Sequence, residues 1–128
     1  MIAGTVNARR EAVVGLALRD SDGNEHVLEA VVDTGFDGWL TLPPDLIKKF
    51  GFPRRRAGRA LLADGSESLF DIHEGIILWD KTLRRIPIDA TETMPLIGMA
   101  LLAGCELKIE VESGGRVVIR PLRARRPK

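Results

Sequence analysis

Short apolar runs cut apart by turn signals constrain this chain more than any other feature. Val14, Leu16 and Leu18 alternate with other residues, Asp20-Ser21-Asp22-Gly23-Asn24 follows, and residues 26–32 return as a second apolar run. Asp-Gly recurs at Asp64-Gly65, between residues 59–63 and 66–72. Aspartate and glycine suit the left-handed conformations of tight hairpin turns, so this pair between apolar runs predicts a hairpin. Residues 74–79 and 83–88 flank Asp80-Lys81-Thr82, and residues 107–112 and 116–119 flank Ser113-Gly114-Gly115. Two short helices are expected among the strands. Pro44–Phe50 begins with proline at a tolerated first-turn position, places Leu46, Ile47 and Phe50 on one side, and stops at Gly51. Residues 99–103 form the second, ended by Gly104. Many short strands with close turns predict an all-β barrel or sandwich.

The chemistry-bearing stretch is Ala30-Val31-Val32-Asp33-Thr34-Gly35-Phe36. Small apolar residues reading as the end of a buried strand deliver an acid, a hydroxyl and a glycine. The carboxylate is thus carried out of a core, where ionisation is costly, as general acid–base work near neutral pH requires. A second segment, Pro95-Leu96-Ile97-Gly98-Met99-Ala100-Leu101-Leu102-Ala103-Gly104-Cys105, leads two apolar residues and a glycine into a short apolar helix. The alternating strand Leu107-Lys108-Ile109-Glu110-Val111 follows it.

With both segments in place, the chain resembles the retropepsin-like aspartic proteases of bacterial type, single-domain relatives of pepsin. Their pattern is an Asp-Thr/Ser-Gly turn, a flap hairpin, an apolar-apolar-Gly motif, a short helix and a closing strand. These match Asp33-Thr34-Gly35, the hairpin near Asp64-Gly65, Leu96-Ile97-Gly98, residues 100–104 and residues 107–112. Asp37-Gly38-Trp39-Leu40-Thr41-Leu42-Pro43 also looks like the strand that follows the catalytic turn. The resemblance spans about residues 12–120 and implies a small closed β-barrel. It further implies an aspartic endopeptidase with Asp33 as catalytic acid and Thr34 and Gly35 supporting its turn. Leu96, Ile97 and Gly98 would pack behind that turn, and Ala63, Asp64, Gly65 and Ser66 would form the flap tip over a peptide or protein substrate. Neither metal nor other cofactor is implied. A catalytically silent dimerisation or peptide-binding module is the alternative.

With 128 residues, one Asp-Thr-Gly and no internal repeat, the chain is too short for two pepsin-sized lobes. A second acid must come from another copy, so a homodimer with its site on the two-fold axis is expected. Viral members often carry arginine after the apolar-apolar-Gly motif, paired with an acid just beyond the catalytic turn. Here Met99 stands at that position while Asp37 supplies the acid, leaving Arg9 or Arg10 as replacement partners. The flap tip is also charged, unlike the glycine-rich viral flap.

Net charge is +1, so no global field points to nucleic acid or a membrane surface. No apolar run reaches transmembrane length, and the first residues lack the order of a signal peptide, so a cytoplasmic location is expected. One cysteine excludes an internal disulfide framework, and Cys105 reads as a small core residue. His26 and His73 have no metal-ligand spacing. Trp39 and Trp79 suit core packing better than a stacking platform, and Arg54-Arg55-Arg56 reads as solvated charge. Residues 1–120 are expected to form the protease domain, and 121–128 a basic, disordered tail.

Overall fold

The computed structural model describes residues 1–123, which fold into ten strands and two short helices. In chain order these are β1 (Ile2–Val6), β2 (Ala12–Arg19), β3 (Glu25–Val32), β4 (Leu40–Leu42) and α1 (Pro44–Phe50). They continue with β5 (Arg54–Leu61), β6 (Glu67–Trp79), β7 (Thr82–Ala90), β8 (Leu96–Ile97), α2 (Met99–Leu102), β9 (Cys105–Ile109) and β10 (Arg116–Pro121). The expectation of a mostly β chain with short helices holds.

Strand alternation builds the core. On β2, Ala12, Val14, Leu16 and Leu18 are buried while the intervening residues reach solvent or the edge of the core. Side chains alternate across a strand, so one period-2 run supplies one apolar face. That face meets Leu40, Leu42, Ile77, Ile86, Ile88 and Ile97, with Val117 and Ile119 from β10. Each such side chain contributes roughly 1.5–3 kcal/mol on leaving water. Helix α1 lays Ile47 and Phe50 against this core and ends on Gly51, whose φ of 71° is left-handed. Its Asp45 and Lys48–Lys49 complement the helix dipole at either end.

The strands join in the order β5-β6-β7-β4-β8-β3-β2-β1-β10-β9. The closed barrel implied by the resemblance is not what forms. The sheet has free ends at β5 and β9, and it folds back on itself through a three-pair contact, Ala17 to Arg19 of β2 against Ile76 to Leu78 of β6. Two further expectations change. The expected strands 66–72 and 74–79 merge into one, β6 (Glu67–Trp79), because no turn residue separates them and its partner changes from β5 to β7 along its length. The chain beyond residue 120 is not free at once: Pro121 closes β10 opposite Cys105, and the Leu122 N–H donates to the Gly104 carbonyl at 2.9 Å. The rest of the expected tail, residues 124–128, lies outside the described residues. Strand β1 was not anticipated at all; it sits between β2 and β10.

Outside the candidate site, Trp79 is buried and Trp39 is half-buried with the Arg84 guanidinium 5.3 Å from its ring centre. Cys105 packs half-buried against the core. No helix among the described residues is long and apolar enough to cross a membrane.

Candidate active site

Strand β3 ends by running parallel to β8, with Val31 opposite Leu96 and Val32 opposite Ile97. The ladder continues through the turn, since the Asp33 N–H donates to the Ile97 carbonyl at 2.9 Å. Asp33 is half-buried there, and its Oδ1 accepts the Gly35 N–H at 2.9 Å, an Asx-type contact that closes the turn. The Phe36 N–H reaches back to the Asp33 carbonyl at 3.2 Å. Thr34 and Gly35 are exposed at the apex.

The apolar-apolar-Gly motif holds this turn from behind. Ile97 is fully buried, pairs with Val32 on one side and Leu40 on the other, and so locks β3, β8 and β4 together. Helix α2 starts without a side-chain cap. Its first N–H groups are satisfied by the loop instead: Met99 donates to the Phe36 carbonyl at 2.8 Å and Ala100 to the Gly38 carbonyl at 3.0 Å. The Gly98 N–H donates to the Trp39 carbonyl at 3.0 Å. This close crossing requires glycine at 98, because a Cβ there would fall 2.1 Å from the Gly38 carbonyl oxygen. The sequence motifs around Asp33 and Gly98 are therefore one hydrogen-bonded unit.

Strands β5 and β6 form the expected hairpin, Leu61 opposite Glu67 and Arg59 opposite Leu69. At its tip the Leu62 N–H donates to the Ser66 carbonyl and the Gly65 N–H to the Leu62 carbonyl, with Gly65 at φ 86° in the position that needs a residue tolerant of left-handed backbone. The charged tip is satisfied locally. Asp64 Oδ1 accepts the Ser66 hydroxyl and N–H, and these bonds hold its carboxyl below the usual range.

Between the turn and the hairpin lies an open cleft of about 810 Å³. Gly35, Phe36 and Asp37 enter its wall from the turn, residues 59–62 and 68–70 from the hairpin, and residues 89–93 from the end of β7 and the segment after it. Asp33 stands beside this cleft rather than in its wall. Ala63, Asp64 and Gly65 at the tip are likewise outside the lining.

Sequence reasoning missed the far wall. Asp89 is half-buried at the end of β7, and desolvation pushes its carboxyl up, with Asp37 adding to the effect and Arg56 opposing it. The available signal was an acid closing the expected strand of residues 83–88, which does not say which wall it joins. The suggested replacement partners of Asp37 are not in place within one chain. Arg9 and Arg10 occupy the β1–β2 turn, whose backbone is held by Asn7, and neither forms an ion pair with Asp37 among the described residues. His26 pairs with Asp20 at 2.7 Å and His73 Nδ1–H donates to the Phe52 carbonyl at 2.9 Å, so both histidines are engaged away from the site. No group of acids, histidines or cysteines among the described residues is arranged to hold a metal ion. Arg54 and Arg55 are exposed and paired with Asp71 and Glu74.

Comparison with family models, with curated proteins and with solved structures yields no match for this chain.

Proposed function

We propose that this chain is an aspartic endopeptidase of the retropepsin type, active as a homodimer. One observation carries the reading: Asp33-Thr34-Gly35 is anchored to Leu96-Ile97-Gly98 beside an open cleft walled by the β5–β6 hairpin. One chain supplies one such aspartate, so the working site takes its second from a partner copy across a two-fold axis. Two facing carboxylates cannot both ionise cheaply, and the pair holds one proton over a broad pH range. The two apparent pKa values belong to the pair.

The ionised member draws a proton from a bound water, whose oxygen attacks the scissile carbonyl carbon. The protonated member gives its proton to the carbonyl oxygen, and the resulting tetrahedral diol collapses as the leaving amine is protonated. Thr34 would tie the two turns together across the dimer, and its exposure at the apex supports that role. The β5–β6 hairpin would close over an extended peptide, add backbone hydrogen bonds and exclude water. The single cysteine goes with a reducing, cytoplasmic setting.

The test is Asp33→Asn, which keeps size while removing the shared proton. Cleavage of unfolded casein or a peptide library should fall by roughly 10² to 10⁴ with an unchanged circular dichroism spectrum. Activity of the purified variant within a few-fold of wild type would sink the reading. A wild-type dimer that binds peptides without cutting them would favour the silent module instead.

A further inference from the structure

We propose that Asp89 makes one subsite of this cleft selective for a basic side chain, lysine or arginine, of an extended peptide. The inference rests on the cleft being a peptide groove. It adds the chemical class of substrate, which the dyad does not specify.

Placement comes first. Asp89 lies opposite Thr41 of β4 and Ile72 of β6. It is one residue beyond Ile88, which with Ile86 is buried in the core. Successive side chains on a strand take opposite faces, so Asp89 leaves β7 on the side away from that core. That side is the cleft wall, facing the β5–β6 hairpin.

The second observation is that the carboxylate lacks a partner. A half-buried acid ordinarily recovers lost hydration through hydrogen bonds or a contacting cation. Among the described residues Asp89 receives no hydrogen bond, and Arg56 acts on it only from beyond ion-pair distance. Other arginines of the hairpin region are directed elsewhere: Arg54 to Asp71 at 2.9 Å, Arg55 to Glu74 at 3.3 Å and Arg59 to Glu67 at 3.8 Å. The wall therefore presents an unpaired carboxylate to the cleft.

A lysine or arginine side chain supplies the missing partner. Its head would donate to the Asp89 carboxylate, and its stem would lie along Phe36, Ala90 and Leu96 in the same cleft. Partial burial weakens solvent screening of that ion pair. Arg59, the cation in the cleft lining, is engaged with Glu67 at 3.8 Å, so an acidic side chain beside Asp89 would meet Asp37, Asp89 and Glu92 and be disfavoured by repulsion.

The test uses decapeptide libraries in which one position at a time is lysine, norleucine or glutamate and the others are randomised. Wild-type protein should cut the lysine set about tenfold faster than the norleucine set at one position, the scale of one charge-assisted hydrogen bond. Glutamate should be disfavoured there. Asp89→Asn should bring the lysine-to-norleucine ratio near one, and Asp89→Arg should turn the preference toward glutamate. Binding of the same peptides to the Asp33→Asn protein, followed by fluorescence anisotropy, separates the two readings. Lysine-selective binding that Asp89→Asn/Asp33→Asn loses, without cleavage by wild type, supports the subsite and removes the peptidase. Equal handling of lysine and norleucine by wild type overturns the subsite, as does a lysine preference that survives both substitutions. Absence of binding by every set overturns it as well. Should Asp89→Asn fail to fold, Asp89→Arg and the wild-type preference, which should shrink as salt rises, still decide the matter.

Discussion

The Asp33 N–H and the Ile97 carbonyl are joined at 2.9 Å, 64 positions apart in the chain but adjacent across two parallel strands. This bond makes the orientation of the proposed catalytic acid a property of the β8 segment behind it. Rigid backing of this kind is what a proton-sharing pair needs, since small misplacements separate the carboxylates.

Gly98 should therefore be as sensitive as Asp33, for a different reason. An alanine Cβ would press into the Gly38 carbonyl at 2.1 Å, and the obstructing atom is backbone that cannot rotate away. Gly98→Ala is expected to lower stability by about 2–4 kcal/mol, by overpacking and displacement of the turn. Urea unfolding with and without the substitution measures this. A midpoint unchanged from wild type would show that the crossing is looser than the structure indicates.

Association is the next expectation. One chain provides one Asp33, and with Met99 in place of an arginine Asp37 forms no ion pair among the described residues. The dimer should accordingly be weak, visible in sedimentation velocity at tens of micromolar or above and strengthened by a peptide-like inhibitor. Monomer under all these conditions would leave the acid without its partner.

The β5–β6 hairpin should open more readily than the rest of the sheet. Strand β5 is an end strand, and Leu61 and Leu69 near the tip are 78% and 68% exposed. Few buried contacts mean a low cost of local opening. Amides of residues 62–68 should exchange rapidly in the free protein and slow on inhibitor binding. Deleting Asp64 and Gly65 should cut turnover by tenfold or more and leave the core intact. Strong protection in the free protein would identify the segment as an ordinary turn.

Acid stability carries a signature from Glu110. Its hydrogen bonds and charge pairing with Arg116 hold its carboxyl at about 2, against 4.5 for the unperturbed group. A carboxyl depressed in the folded state stabilises the fold fully above its unfolded pKa, and this contribution disappears as pH falls from about 4.5 toward about 2. Glu110→Gln should flatten that part of the stability profile. The pair is solvent-exposed, so the difference should be small and should shrink in high salt. Urea midpoints taken from pH 6 to pH 2 for both proteins provide the check.

Local chemistry is what the sequence by itself determined. The period-2 run of β2, the Asp-Gly turns and the proline-to-glycine span of α1 depend on neighbours a few residues apart. Pro44–Phe50 accordingly forms where its own caps place it. The pairing of Asp33-Thr34-Gly35 with Leu96-Ile97-Gly98 was legible only through a resemblance of motifs. The parallel contacts β3–β8 and β4–β7 decided the rest. Parallel neighbours share no turn, so no local signal announces them, and they form because burying Ile97 and Ile88 satisfies both strands at once. The same packing leaves the sheet open at β5 and β9 rather than closed. It also sets Asp89 into the cleft wall opposite the hairpin, which the local strand signal of residues 83–88 could not specify.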